Sequence, residues 1–203
     1  GARPASLVAT PPRTLLGAAA AGALDPVGLV GAALEAATNG ERRRAQGLHV
    51  TPRWLAEHLV TLALPTHPPR PAGDAAWPTV CDPACGGGVF LVAAARHLHR
   101  RGVDRRHVVR HLLWGADIDP LGLAAAEAAL ALWAGEPPPP GRLVVGDPLG
   151  HGRAVWPDPP PAGFDAVVGN PPFQSQLGRA TARSAADQRD LRARFGSTVR
   201  AYT

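Results

Sequence analysis

The chain has 203 residues, a length that suits one domain with an arm. Hydrophobic residues make up 45% and charged residues 18%, which provides for a core and argues against wholesale disorder. The net charge of +5 permits a polyanionic partner without requiring one, and no apolar run reaches the ~18 residues of a membrane helix free of Gly, Pro or charge.

The Ala-rich stretch Leu15–Leu24 is too short to span a membrane. It also lacks the layout of a secretory signal, so a cytoplasmic setting is expected. All 21 basic residues are Arg; with 23 Pro and 23 Gly, this reads as the coding bias of a GC-rich genome. Arg identity is therefore a weak guide to bidentate recognition. Cys81 and Cys85 read as reduced thiols, and their spacing is not that of a zinc ribbon. No metal is expected: the eight His form no metal-like cluster, and His97, His99, His107 and His111 are expected on solvated helix faces. The chain opens with Gly1, holds no Met and stops at Thr203, so a piece of a longer protein is expected.

Residues 1–46 read as an N-terminal helical arm. Leu29, Val30, Ala33, Leu34 and Ala37 have helical spacing, which predicts a helix over about Pro26–Thr38. The Glu41–Arg44 charge run reads as its solvated end. Thr51 before Pro52 predicts a helix start, with Thr51 as N-cap and Pro52 first in the helix. That helix, Pro52–Leu64, would place Leu55, Leu59 and Leu62 on one face. Pro65–Pro78 reads as loop. Then come strand Trp77–Asp82, helix Val89–Arg101, strand Leu112–Ile118 and helix Leu121–Ala134. After a stiff Pro137–Pro140 run, strand Leu143–Gly146, loop Gly150–Gly163 and strand Phe164–Gly169 complete the series. This alternation predicts an α/β fold built on a parallel sheet, with helices on both faces.

Four turn motifs fall at strand ends, where open parallel sheets bind ligands. In Asp82-Pro83-Ala84-Cys85-Gly86-Gly87-Gly88, the glycines allow close backbone approach and positive φ. The acidic residue disfavours a pyrophosphate and suits a cationic or amino group. The ordinary alternative is a plain tight turn. In Gly115-Ala116-Asp117-Ile118-Asp119-Pro120, Asp119 reads as a helix N-cap. That leaves Asp117 for the hydroxyls of a ribose and Ile118 for one face of an adenine. Asp147, in Gly146-Asp147-Pro148, can accept from an exocyclic amine, although such a triplet is also common turn chemistry. In Asn170-Pro171-Pro172-Phe173, two prolines fix the backbone. The Asn170 side-chain oxygen and the Pro171 carbonyl can meet one NH₂ group, and Phe173 offers a stacking ring. A Pro-rich turn with a buried Phe is the ordinary alternative.

In this order the motifs resemble the amino-group DNA methyltransferases of the adenine-N6 type. Gly47–Pro52 resembles the family's motif X, placed before motif I as in the gamma arrangement. Asp82–Gly88 resembles motif I, Gly115–Pro120 motif II, Gly146–Pro148 motif III and Asn170–Phe173 the catalytic motif IV. The resemblance covers about Gly47–Phe173. It implies a partial Rossmann-like methyltransferase sheet of strands 1–4 within a catalytic domain over 47–203, with S-adenosyl-L-methionine as cofactor. Thr51 and Pro52 would hold the methionine end. Asp82, Ala84, Gly86 and Gly88 would shape the pocket, Asp117 would take the ribose, Ile118 the adenine ring and Asp147 its amine. Asn170, Pro171, Pro172 and Phe173 would act on the target.

The family often has Ser where Gly87 stands, a mild departure. The later strands and the target-recognition domain are expected beyond Thr203. The polar, Arg-rich stretch after Gln174 would be a loop leading to a helix, or a DNA-facing segment. The implied substrate is double-stranded DNA with a flipped adenine, in a type II or IIG-like restriction-modification or related phage-defence system, with a possible restriction or specificity partner. Alternatives are methylation of a release-factor glutamine, an rRNA guanine N2 or a cytosine N4, or a non-catalytic fragment that binds the cofactor.

Overall fold

The computed structural model describes residues 30, 51–64, 77–171, 189 and 193. The expected arm over 1–46 and helix over about Pro26–Thr38 lie outside these, except Val30, which is helical and packs against the core. Also outside are most of the Pro65–Pro78 loop, Pro172, Phe173 and nearly all of the stretch after Gln174.

The described elements run α1 (Arg53–Ala63), β1 (Val80–Asp82), α2 (Val89–Arg100), α3 (Arg105–His111), β2 (Leu113–Asp117), α4 (Pro120–Ala134), β3 (Leu143–Val145), α5 (Pro148–His151) and β4 (Ala166–Val167). The strands form one sheet in the order β3-β2-β1-β4, and every neighbouring pair is parallel. Strand order reverses at β1: β2 and β3 extend to one side, and the chain returns to lay β4 on the other. Such a reversal opens a crevice at the carboxyl ends of the central strands.

Side chains alternate across the strands, so each strand feeds two cores. Val80, Leu113, Leu143 and Ala166 meet the apolar stripes of α1, α2, α3 and α4 in the larger cluster, centred on Leu91, Leu98, Val108 and Leu130. Burying one such aliphatic side chain contributes roughly 1.5–3 kcal/mol. Cys81, Trp114, Ala116 and Val144 face the other way and pack with Val155, Trp156 and Phe164. Among the described residues that second face is covered by the short α5, a 3₁₀ turn over Gly152–Val155, and loop. The helices expected on both faces are thus long on one and abbreviated on the other. The expected loop over Gly150–Gly163 is corrected in its first part, which is helical.

Three other expectations are overturned. Thr51 is not the N-cap of α1; Pro52 holds that position without any side-chain cap bond. The core-facing residues of α1 are Ala56 and Val60, with Leu64 just beyond, while Leu59 is exposed and Leu62 is 70% exposed. Small Ala56 lets the helix sit close to α2, and Leu55 is half-buried beside it. His97 is buried on α2 rather than solvated, and burial, with Arg101 and Arg100 nearby, holds its pKa below the ordinary value. Helix α3 was not expected; Asp104 caps it, accepting from the Arg106 and His107 amides at 3.0 and 3.1 Å.

Candidate functional site

The carboxyl tips of β1, β2 and β4 converge through short contacts. After β1, Asp82 is buried, and its Oδ1 accepts from the Ala84 amide at 3.1 Å. The chain then turns through Gly86 at φ +47° and Gly88 at φ +83°, so two of the three glycines use the left-handed region. The Gly86 amide donates to Asp117 Oδ2 at 2.7 Å, tying the turn to the tip of β2. Asp117 Oδ1 accepts from the Asp119 amide at 2.8 Å. A carboxylate has about four lone-pair positions, so each oxygen retains one for a ligand. Asp119 caps α4 as expected, accepting from the Leu121 amide at 3.1 Å. Ile118 stands 69% exposed beside it.

The neighbouring tips join the same group. The Gly146 amide donates to the Asp117 carbonyl at 2.9 Å, which brings Asp147 alongside. The Asp147 carbonyl accepts from the His151 amide at 3.0 Å and contacts His151 Nδ1 at 3.1 Å. On the β4 side, a Cβ placed on Gly169 would fall 2.7 Å from Asp82 Oδ1. Asn170 follows, half-buried, and its Nδ2 donates to Thr51 Oγ1 at 3.2 Å. Thr51 is buried, and Pro52 next to it is exposed. Asp82, Ala84, Gly86, Gly88, Asp117, Ile118, Asp147, Asn170 and Thr51 therefore share one edge of the sheet. Pro171 follows there, exposed.

Electrostatics mark the cradle as a place for positive charge. Burial pushes the Asp82 carboxyl up to about 7; the Ala84 amide offsets part of this, and the Asp117 charge adds to it. A cationic group beside Asp82 would return it to the ionised form. The same burial, with the Asp82 charge, pushes the Cys81 thiol up to about 12. Burial also raises Cys85, with Asp82 and Asp117 adding to the effect. Both cysteines are free and buried, and neither is a thiolate nucleophile. A Cβ on Gly86 would meet nothing within 4 Å, so the turn faces open space. This set of groups fits a ligand with a cationic centre and a ribose: open space over the glycine turn, spare lone pairs on Asp117, and the exposed ring-sized face of Ile118.

Residues 34–200 match the sequence profile described as N-6 DNA Methylase. The chain belongs to the N-6 DNA methylase family. Among relatives of this family member, the type I restriction enzyme MjaIX methylase subunit of Methanocaldococcus jannaschii is 28% identical over 127 residues, which is 63% of this chain and 19% of that protein. The crystal structure of a modification subunit of a putative type I restriction enzyme from Vibrio vulnificus YJ016 aligns with 28% identity and a TM-score of 0.40. That alignment covers 54% of this chain and 22% of the other. The chain thus spans about a fifth of the length of these relatives.

Several residues that shape this cradle lie outside the expected site residues. Gly169 allows β4 to close against Asp82. A Cβ on Gly115 would lie 2.8 Å from both Leu143 and Leu91, so this strand position requires Gly. Gly122, inside α4, lies against the Gly86 backbone, where a Cβ would sit at 3.3 Å. Trp156 donates its indole N–H to the Gly115 carbonyl at 3.0 Å, which steadies β2 just before Asp117. The available signal was glycine inside apolar strand and helix patterns, which marks close backbone approach.

Proposed function

We propose that this chain carries the cofactor-binding and catalytic segment of a DNA methyltransferase that transfers a methyl group from S-adenosyl-L-methionine to adenine N6. The observation that carries the proposal is Asn170, followed by Pro171, at the tip of β4 in the same cradle as Asp82 and Asp117. Membership of the N-6 DNA methylase family supports it.

When bound, the cofactor supplies an electrophilic methyl group on a cationic sulfur. Asp117 would accept from the ribose hydroxyls with its remaining lone pairs, and Ile118 would cover one face of the adenine ring. Asp147 would take the exocyclic amine of that ring. Asp82, Ala84, Gly86 and Gly88 would shape the pocket floor, and Thr51 and Pro52 would border the methionine end.

The target amine is a poor nucleophile because its lone pair is delocalised into the ring. Asn170 Oδ1 and the Pro171 carbonyl would accept its two N–H groups and draw the nitrogen toward tetrahedral geometry. So held, the lone pair would face the cofactor's methyl carbon in line, with the cationic sulfur leaving as a neutral thioether and the surplus amine proton passing to water. Such catalysis rests on positioning and preorganised dipoles and needs no covalent enzyme nucleophile. Extruding the base from a duplex costs a few kcal/mol, and stacking on Phe173 beside Pro172 would offset part of this.

The two relatives are named as methylase and modification subunits of type I restriction enzymes. By extension, this protein would act in a restriction-modification system with a specificity or restriction partner, in the cytoplasm. No helix among the described residues is long and apolar enough to cross a membrane.

The test is labelled-methyl transfer to DNA by the wild type and the Asn170→Ala variant, with cofactor affinity measured by calorimetry. Transfer should be abolished and cofactor affinity nearly unchanged. Equal loss of both would mean that Asn170 is misassigned, and transfer to a protein or ribosomal acceptor instead of DNA would overturn the substrate.

A further inference from the structure

The hydrogen bond between Asn170 and Thr51 joins residues 119 positions apart, and it is the one hydrogen bond Asn170 makes among the described residues. A primary amide is planar and nearly symmetric in shape. Rotation by half a turn about its Cβ–Cγ bond exchanges the carbonyl oxygen and the NH₂ group at almost no steric cost. The two orientations are opposite in chemistry. One presents an acceptor to an incoming amine, and the other presents two donors that repel it. A catalytic asparagine therefore needs a fixed partner for its NH₂ group. Thr51 Oγ1 is that partner, 3.2 Å from Nδ2 on a buried residue.

We infer that Thr51 is a positioning residue: its hydroxyl oxygen holds the Asn170 NH₂ group and so leaves Oδ1 turned toward the substrate amine. This deepens the methyltransferase reading and rests on it. Thr51 stands one position before the N-cap Pro52, so its hydroxyl is not spent on α1. The hydroxyl's acceptor capacity goes instead to the tip of β4. Because a hydroxyl can also donate, it selects this orientation when its own proton is given to another acceptor, a place that a bound cofactor's carboxylate would fill. Helix α1 is held close by Ala56 and Val60, so the Thr51 backbone is anchored by the main core and not by the site. The amide is thereby referenced to a rigid part of the fold.

The contact can be tested without turnover. The chain has two asparagines, Asn39 and Asn170, and four glutamines, so the Asn170 side-chain amide pair is assigned among six in a ¹⁵N–¹H spectrum by its loss in Asn170→Ala. Replacing the hydroxyl with a methyl, Thr51→Val, should shift that pair and speed its exchange with water, whereas Thr51→Ser should leave it near the wild-type position. In steady-state methylation of DNA, Thr51→Val should lower kcat at saturating cofactor by about tenfold, the worth of one well-placed hydrogen bond. Thr51→Ser should recover most of this, and Thr51→Ala serves if the valine variant does not fold.

An unshifted amide pair in the valine and alanine variants would overturn the inference. So would a kcat preserved at saturating cofactor with only the cofactor KM raised, because Thr51 would then act on the cofactor alone. An amide shift in the Thr51 variants together with no methyl transfer to DNA by the wild type would overturn the methyltransferase reading and leave the Thr51 anchor standing.

Discussion

Asp82 concentrates the chemistry of the site at the residue scale. A carboxyl that titrates near 7 when folded and near 3.8 when exposed binds its proton more tightly in the folded state. Across that window the folded chain holds more protons than the unfolded one, so this group's contribution to stability falls as pH rises and levels off above about 7. The Asp82→Asn variant lacks that loss. Its urea midpoint, relative to wild type, should therefore rise between pH 5 and pH 8. Ligand binding carries the opposite sign. A cationic ligand favours ionised Asp82, so below about pH 7 its binding must release a proton. Affinity should then weaken by up to about tenfold per pH unit as pH falls. Calorimetry of the cofactor in two buffers of different ionisation enthalpy counts the released proton directly; none released at pH 6 would remove Asp82 from contact with the cation.

Glycine chemistry dominates the element scale. Gly88 and Gly135 have almost the same backbone conformation, φ +83° and +81°, and each flanks a helix. Their surroundings differ. A Cβ on Gly88 would fall 2.9 Å from Ala126 Cβ in α4, whereas one on Gly135 would meet open space. Left-handed strain alone predicts that Gly135→Ala costs about 1 kcal/mol. Strain plus overpacking predicts about 2–4 kcal/mol for Gly88→Ala, because α2 must move away from α4. Chemical denaturation of the two variants measures the difference, and equal costs would mean that the α2–α4 approach is not tight. This contrast bears on how far sequence reading reaches. Strand and helix positions were legible because apolar runs between Gly and Pro punctuation set them; β1, β2, β3, α2 and α4 fall within a few residues of expectation. The motif residues were legible because they sit at the ends of those strands. Helix α3 was hidden in an Arg- and His-rich stretch whose apolar face is short, only Val108, Val109 and then Leu112, beside the cap at Asp104. The core-facing side of α1 was misread because three leucines outweighed Ala56, yet close helix packing favours the smaller residue. The Thr51–Asn170 contact was beyond reach of spacing arguments, which carry no distance information across 119 residues.

The site at whole-molecule scale is made by long-range closures and not by any one segment. Thr79 and Asp165 lock the starts of β1 and β4 together: Asp165 Oδ2 accepts from the Thr79 amide and hydroxyl at 2.8 Å each, and the Asp165 amide donates to Thr79 Oγ1 at 3.1 Å. Thr51–Asn170 closes the other end of β4 onto α1. A ligand that bridges such closures stabilises the folded state by mass action. At a hundred times its Kd this amounts to about 2.7 kcal/mol, or roughly 5–10 °C in Tm for a chain of this size. Saturating cofactor should produce that rise in a thermal scan, and Asp117→Ala should remove most of it while retaining a cooperative transition. A full rise in the alanine variant would place the ribose elsewhere. The two cysteines carry a consequence of a practical kind. Both are buried, Cys81 in the second core and Cys85 in the larger one, and burial raises both thiols, so a maleimide or disulfide dye finds no reactive sulfur in the native molecule. The native chain is a silent background for thiol labelling. A single cysteine introduced on the exposed rim, at Ile118 for instance, would take a fluorophore selectively, and slow reaction of Cys81 and Cys85 would time the opening of the sheet itself.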